Sequence, residues 1–245
     1  MASPDNIQIM QKGGNENIVT SADLAVQEFL RQRLSELLPE SGFICEEGDI
    51  ADVRHERVWI IDPIDGTANY ARGVDQCAIC VGLCHFGAME MSVVYLPRTD
   101  EMFTARRGEG AWRNGERIHV SDRPFDNAIM CTALPVYHKE QAAWCSEAIR
   151  DVFMQCNDIR RLGAAAPELC YMAMGRFDMY FEYLLGAWDF AAASLIVEEA
   201  GGMLCNIYGN PLNPMAGSGV IAANNNANLL RLSGIIKSHN PAAKQ

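Results

Sequence analysis

Apolar residues recur at Val26, Phe29, Leu30, Leu34, Leu37 and Leu38, three or four positions apart. That period predicts an amphipathic helix, with Thr20 as its N-cap and Pro39 just past its end. Beyond Pro39 the pattern shortens to strand length, first over residues 42–45 and then over 58–61. A strand-rich stretch follows from Cys77 to Val120, broken at Phe86-Gly87 and at Asn114-Gly115, the second a strong hairpin signal. From about Asp122 the pattern changes again. Helices predicted over 139–155, 167–174, 187–200 and 227–236 alternate with strands over 129–132, 178–182, 203–207 and 220–222. Strands first and alternation later predict an α+β fold of two stacked sheet-and-helix lobes sharing a cleft, an N-terminal lobe over 1–122 and a C-terminal α/β lobe over 123–245. No internal repeat or low-complexity linker interrupts them.

The apolar run Trp59-Ile60-Ile61 ends in Asp62-Pro63-Ile64-Asp65-Gly66-Thr67, two carboxylates three residues apart with a proline between them and a glycine behind. Asp62 and Asp65 offer side-chain oxygens and Ile64 its carbonyl. The amides of Gly66 and Thr67 lie where a following helix would begin, a position that attracts anions. Oxygen-only donors beside an anion site suit a hard cation holding a phosphate. Asp-Pro and Asp-Gly are also ordinary turn dipeptides. Glu46 and Glu47 follow a short strand and would alternate faces, one inward and one outward; with Gly48-Asp49 behind them they also read as a solvated acidic turn. Asp189, after Trp188 at the start of an apolar helix, reads as a ligand or as a helix cap. Thr67 and Asp23 form a hydroxyl–carboxylate pair able to orient a water, although Asp23 also completes a Thr20-x-x-Asp23 cap. Gly108-Glu109-Gly110 reads as a hairpin and not a dinucleotide loop, since position 113 is Arg.

Apolar content of 49% and charged content of 21% are those of an ordinary globular protein, and 245 residues suit one large domain or two closely packed lobes. A net charge of −11 argues against nucleic acid or an anionic membrane as the main partner. Part of that charge would be concentrated at a cation site. The chain has nine scattered cysteines and opens on Met1-Ala2-Ser3-Pro4-Asp5-Asn6, without a basic or apolar leader, so reduced thiols in the cytoplasm are expected. Cys77, Cys80 and Cys84 sit in an apolar strand-like run with no His cluster nearby, which favours buried packing over zinc. No stretch reaches the ~20 apolar residues of a membrane span.

Four segments in order resemble the motifs of the inositol monophosphatase family, within the lithium-sensitive phosphatase superfamily. They are Val19-Thr20-Ser21-Ala22-Asp23, Gly42-Phe43-Ile44-Cys45-Glu46-Glu47, Asp62 to Thr67, and Trp188-Asp189-Phe190-Ala191-Ala192-Ala193 through Glu199-Ala200-Gly201-Gly202. The likeness runs from about Lys12 onward. It implies a layered αβαβα sandwich of the inositol monophosphatase and fructose-1,6-bisphosphatase type, a homodimer, and about two or three Mg²⁺ per active site. One metal position would comprise Glu46, Asp62 and the Ile64 carbonyl, the other Asp62, Asp65 and Asp189, with a third, weaker one at Glu46. Thr67 with Asp23 or Glu46 would orient a metal-activated water for in-line attack, and the second cation would stabilise the leaving oxygen. Sensitivity to lithium would follow from Li⁺ replacing one magnesium. Asp65, Gly66 and Thr67 would hold the phosphate end. Glu182 would meet a substrate hydroxyl, and Gly163, Ala164 and Ala165 would offer backbone groups, though these three also read as a turn into a helix.

The implied reaction is hydrolysis of a small polyol phosphate monoester, myo-inositol monophosphate first. Fructose-1,6-bisphosphatase, histidinol-phosphatase and 3′-phosphoadenosine 5′-phosphate phosphatase share the metal core. A non-catalytic regulatory binding protein is the alternative of a different class, against which no ligand carboxylate is missing. Three departures from the family stand out. Ala164 replaces a common Ser or Thr, Ala193 replaces a common Gly, and the family's first long helix is expected to be absent or truncated ahead of Lys12.

Overall fold

A computed structural model describes residues 9–14, 17–48 and 53–244. The chain opens with an antiparallel hairpin of β1 (Ile9–Gly14) and β2 (Asn17–Thr20). Residues 1–8, most of the stretch ahead of Lys12 on which the expectation of a truncated helix rested, lie outside the described residues, as does Asp49. Helix α1 (Ser21–Leu37) starts as its sequence predicts: the Thr20 hydroxyl accepts from the Ala22 and Asp23 amides, and the Asp23 carboxylate accepts from the Thr20 amide at 2.9 Å. Its apolar stripe is only half covered. Leu30, Leu34 and Leu38 pack on Phe43, Trp59 and Leu83, while Phe29 and Leu37 remain 60% and 72% exposed.

The first large sheet follows. β3 (Gly42–Cys45) runs parallel to β4 (Arg57–Asp65), and the short helix α2 (Thr67–Ala71) leads into an antiparallel run of β5 (Ala78–His85), β6 (Ala88–Leu96), β7 (Glu101–Arg106), β8 (Gly110–Arg113) and β9 (Glu116–Ile118). Both predicted hairpins turn on consecutive positive φ angles, 47° and 80° at Phe86-Gly87 and 49° and 81° at Asn114-Gly115. Such primed turns match the right-handed twist of the strands they join.

The second sheet has the order β11-β10-β12-β14-β13, built from β10 (Ile129–Thr132), β11 (Asp158–Arg160), β12 (Met179–Leu185), β13 (Met203–Asn206) and β14 (Ser218–Ala223). Between these strands come helices α3 (Ala142–Phe153), α4 (Ala165–Ala173) and α5 (Ala187–Glu199), and α6 (Asn226–His239) follows the last. The predicted helix over 139–155 is shorter in its regular part, because Lys139–Gln141 forms a 3₁₀ turn. The connection between the sheets is fastened by the fully buried Asp178, whose carboxylate accepts from Ser121, Arg123 and the Ile129 amide.

Helix α5 fixes the layering. Phe190, Ala191, Ala193, Leu195, Ile196 and Val197 are all 0% exposed. A helix apolar all round must be covered all round, and α5 with α4 lies between the sheets in one continuous core with Ile60, Val94, Phe103, Tyr180 and Val220. On the far side of the second sheet, α3 and α6 bury Trp144, Val152, Leu232 and Ile236 against Met179, Phe181 and Ile221. With α1 on the outer face of the first sheet, the α+β fold is the expected αβαβα stack. Cys77, Cys80 and Cys84 are buried free thiols, and burial pushes Cys80 well above the ordinary thiol range. No cysteine joins a metal-capable cluster among the described residues, and none of the helices there is long and apolar enough to cross a membrane.

Leu195→Ala, at 0% exposure between the sheets, is expected to cost about 2–5 kcal/mol of stability. Leu37→Ala, at 72% exposure, should stay within about 0.5 kcal/mol. Urea unfolding midpoints at unchanged slope check both, and equal losses would contradict the layering.

Candidate functional site

The centre of the site is an irregularity in β4. Asp62 pairs with Cys80 and Asp65 with Ala78, so three steps along β4 match two along β5. Pro63 sits in the slip, where its missing N–H leaves no ladder bond unmade. In a regular strand, residues three apart face opposite sides. The bulge brings both carboxylates to one side, where oxygens of Asp62, Asp65 and Asp189 all lie within 4.8 Å of one another.

Backbone amides steady all three. Asp62 Oδ1 accepts from the Ile64 amide at 2.9 Å, and its buried Oδ2 meets no donor. Asp65 accepts from Ala165 and Ala166 at 3.3 and 2.6 Å, at the start of α4. Asp189 accepts from Gly186 at 2.7 Å, at the start of α5. No Lys or Arg pairs with any of them among the described residues.

Burial therefore dominates their ionisation. It pushes Asp62 well above the usual carboxylate range, with the charges of Glu46, Asp65 and Asp189 adding to the shift. Asp189 is likewise pushed well up by burial and by Asp65 and Glu46. Asp65 rises to about 7, burial outweighing the two α4 amides. Glu182 also rises to about 7 by burial, eased by the Tyr180 hydroxyl and Arg161. Only a bound cation would keep this cluster ionised at little cost. A donor set of carboxylates and one carbonyl, with an orphaned oxygen at its centre, fits magnesium.

Glu46 borders the same cleft, but the strand alternation expected of the acidic pair does not hold. β3 ends at Cys45 and residues 46–48 bend, so Glu47 turns inward too, at 7% exposure. Gln27 locks that bend, donating to the Glu47 carbonyl at 2.6 Å and accepting its amide at 3.0 Å. Oxygens of Asp23, Glu46 and Glu47 come within 4.8 Å of one another. Asp23 caps α1 as its sequence position predicts, and its Oδ1 lies 3.2 Å from the Thr67 hydroxyl, which also reaches the Ile64 carbonyl at 3.0 Å.

A cleft of about 560 Å³ gathers these groups. Glu46, the end of β4 from Asp62 to Asp65 and the start of α2 line one side, and the loop and first residue of α4 at 163–165, Glu182 of β12 and Asp189 of α5 line the other. Asp23 stands behind Thr67 at 0% exposure. Gly66 holds φ +84°, and a Cβ there would stand 2.9 Å from both the Ala164 side chain and the Gln76 carbonyl. The backbone offer from 163–165 is narrower than expected. The Gly163 amide donates to Glu168 and the Ala165 amide to Asp65, and the Ala164 amide makes no hydrogen bond among the described residues. Sequence reasoning gave no place to Glu168 or Ala166, did not foresee the contacts of Asn69, and took Glu46 and Glu47 as a pair of which one faces outward; only positions next to recognised motifs could have hinted at the rest. Burial pushes Glu168 to about 8, against the pull of the Leu162 and Gly163 amides. The Gly108 and Gly110 amides receive the Glu199 carboxylate at 2.8 and 2.9 Å, so that loop is tied to α5.

Comparison with known proteins agrees with this geometry. A sequence model of the inositol monophosphatase family matches residues 1–238. The Nus factor SuhB of Escherichia coli strain K12 is 37% identical over 224 residues, covering 91% of this chain and 83% of that protein. The crystal structure of the extragenic suppressor protein suhB of Bartonella henselae superposes with a TM-score of 0.87 at 32% identity, covering 96% of this chain and 90% of that one. The IMPase of Thermotoga maritima gives 0.85 at 29%, covering 96% and 89%.

With Asp65 and Glu182 near 7 in the fold and ordinary carboxyls near about 4 in the unfolded chain, the unfolded state sheds protons that the fold retains. The metal-free protein should therefore lose stability as pH rises from about 4 to about 7, and added Mg²⁺ should oppose the loss. Asp62→Asn removes one repelling charge, so its Tm in chelator at neutral pH should exceed that of the parent while its response to Mg²⁺ shrinks. Thermal melts with and without chelator check all three expectations.

Proposed function

Since the chain belongs to the inositol monophosphatase family, we propose that it is a magnesium-dependent phosphatase of small polyol phosphate monoesters, with myo-inositol monophosphate the first candidate. One observation carries the reading: three carboxylates, two from β4 and one from the first turn of α5, converge within 4.8 Å, held by backbone amides and paired with no cationic side chain among the described residues. Glu46, Asp62 and the Ile64 carbonyl would hold one magnesium, and Asp62, Asp65 and Asp189 another. Bound there, magnesium neutralises the ester phosphate and makes a water more acidic.

The chain's own residues do the rest. Gly66 and Thr67 present their amides to the phosphate end. The Thr67 hydroxyl orients the attacking water and passes its proton to Asp23, the carboxylate already within hydrogen-bond reach; Glu46 is the other acceptor on that wall. Glu182 and the Ala164 amide meet hydroxyls of the polyol. No covalent phospho-enzyme is needed, since no Ser, Cys or His lines the cleft among the described residues. A cytoplasmic homodimer acting on a small-molecule ester, and not on nucleic acid or membrane, goes with this reading. The same metal core would serve fructose 1,6-bisphosphate, histidinol phosphate or 3′-phosphoadenosine 5′-phosphate. The name Nus factor, carried by relatives 37% identical, favours a second reading in which the chain acts as a regulatory binding protein.

Phosphate release from inositol 1-phosphate and from those three esters, with Mg²⁺, with chelator and with added Li⁺, separates the readings. Magnesium-dependent, lithium-inhibited release is expected, with Asp62→Asn below about a tenth of the parent rate. A folded protein that binds Mg²⁺ and releases nothing would favour the regulatory reading.

A further inference from the structure

We propose that Glu168 is a positioning residue for the polyol end of the substrate, acting through the 162–164 loop that it and Asn69 clamp between them. Glu168 is only 1% exposed, and one of its oxygens accepts both the Leu162 amide and, at 3.1 Å, the Gly163 amide. On the opposite side, the Asn69 amide donates to the Leu162 carbonyl at 2.8 Å and to the Gln76 carbonyl at 2.7 Å. Both polar groups of Leu162 are thereby fixed, one to α4 and one to α2. Gly163 crosses directly over Asn69 at φ +82°, with room for a Cβ only 3.5 Å from its amide nitrogen.

These two jaws belong to different helices, α2 and α4. Asn69 is two residues from Thr67, at the phosphate end, and Glu168 is four residues beyond Ala164, whose amide makes no hydrogen bond among the described residues. The clamp sets how far the loop stands from the phosphate, and so selects cyclic polyols whose hydroxyls lie at a fixed distance from phosphorus. Glu168 hydrogen-bonds to none of the carboxylates assigned to magnesium, and the loop it holds is the one proposed to meet the alcohol. The inference rests on the phosphatase reading above.

The test compares inositol 1-phosphate with p-nitrophenyl phosphate, which has the same phosphate and no hydroxyls. Glu168→Met removes the acceptor of both amides. It should raise KM for inositol 1-phosphate about tenfold with little change in kcat, and alter kcat/KM for p-nitrophenyl phosphate less than about threefold. Glu168→Gln keeps a carbonyl oxygen for both amides and should restore parent behaviour on both esters. Equal losses on the two esters, or no loss on either, overturn the inference. If circular dichroism finds Glu168→Met unfolded, Asn69→Ala, which removes the other jaw, decides by the same ratio. Parent protein inert towards both esters in Mg²⁺ would instead refute the phosphatase reading and this inference with it.

Discussion

The removal of Asp62, Asp65 and Asp189 from water, side by side, is the constraint around which the rest of the chain is arranged. An ionised carboxylate taken from water costs on the order of several kcal/mol, and a hydrogen bond to a charged group returns about 1.5–3. A helix N-terminus adds about 0.3–1. The amides of Ala166 and Gly186 therefore moderate the strain without removing it, which agrees with carboxyls still held well above their ordinary range. The fold tolerates them because each is anchored on a rigid element: a bulged central strand, and a helix packed between two sheets.

That arrangement also explains why the site needs both halves of the chain. Asp62 and Asp65 come from β4, but the amides that orient Asp65 belong to α4 and the third carboxylate to α5. Neither sheet alone presents a complete donor set. The layers are joined by α5, whose first turn carries Asp189 into the cleft and whose residues from Phe190 to Val197 are all buried. Packing in the core and geometry at the site are consequently set by the same helix.

Much of this was readable from the residues. The segment Asp62 to Thr67 encodes its chemistry locally: an apolar strand, a proline that a ladder cannot use, and a glycine free to turn at φ +84°. The two primed hairpins and the Thr20–Asp23 cap were equally local. What escaped depends on neighbours distant in sequence. Glu47 turns inward because Gln27 holds its backbone, and nothing in Glu46-Glu47 reports that. Asn69 reads as a polar helix residue until Leu162 is placed beside it, and Glu168 reads as a surface carboxylate until α4 is buried. α2 has five residues and β11 three, too few for either period to be visible.

The hydrogen bond from Ala166 to Asp65 spans 101 residues of chain. At a synthesis rate of about 5–20 residues per second, roughly 5–20 seconds separate the emergence of the carboxylate from that of its partner. Throughout that interval the apolar face of β4 and its acidic end have neither α4 nor α5 to meet. Contacts closed over such distances also form slowly. The same long-range closure that completes the cleft thus sets a window of that length in which the growing polypeptide carries its acidic strand end without its partners.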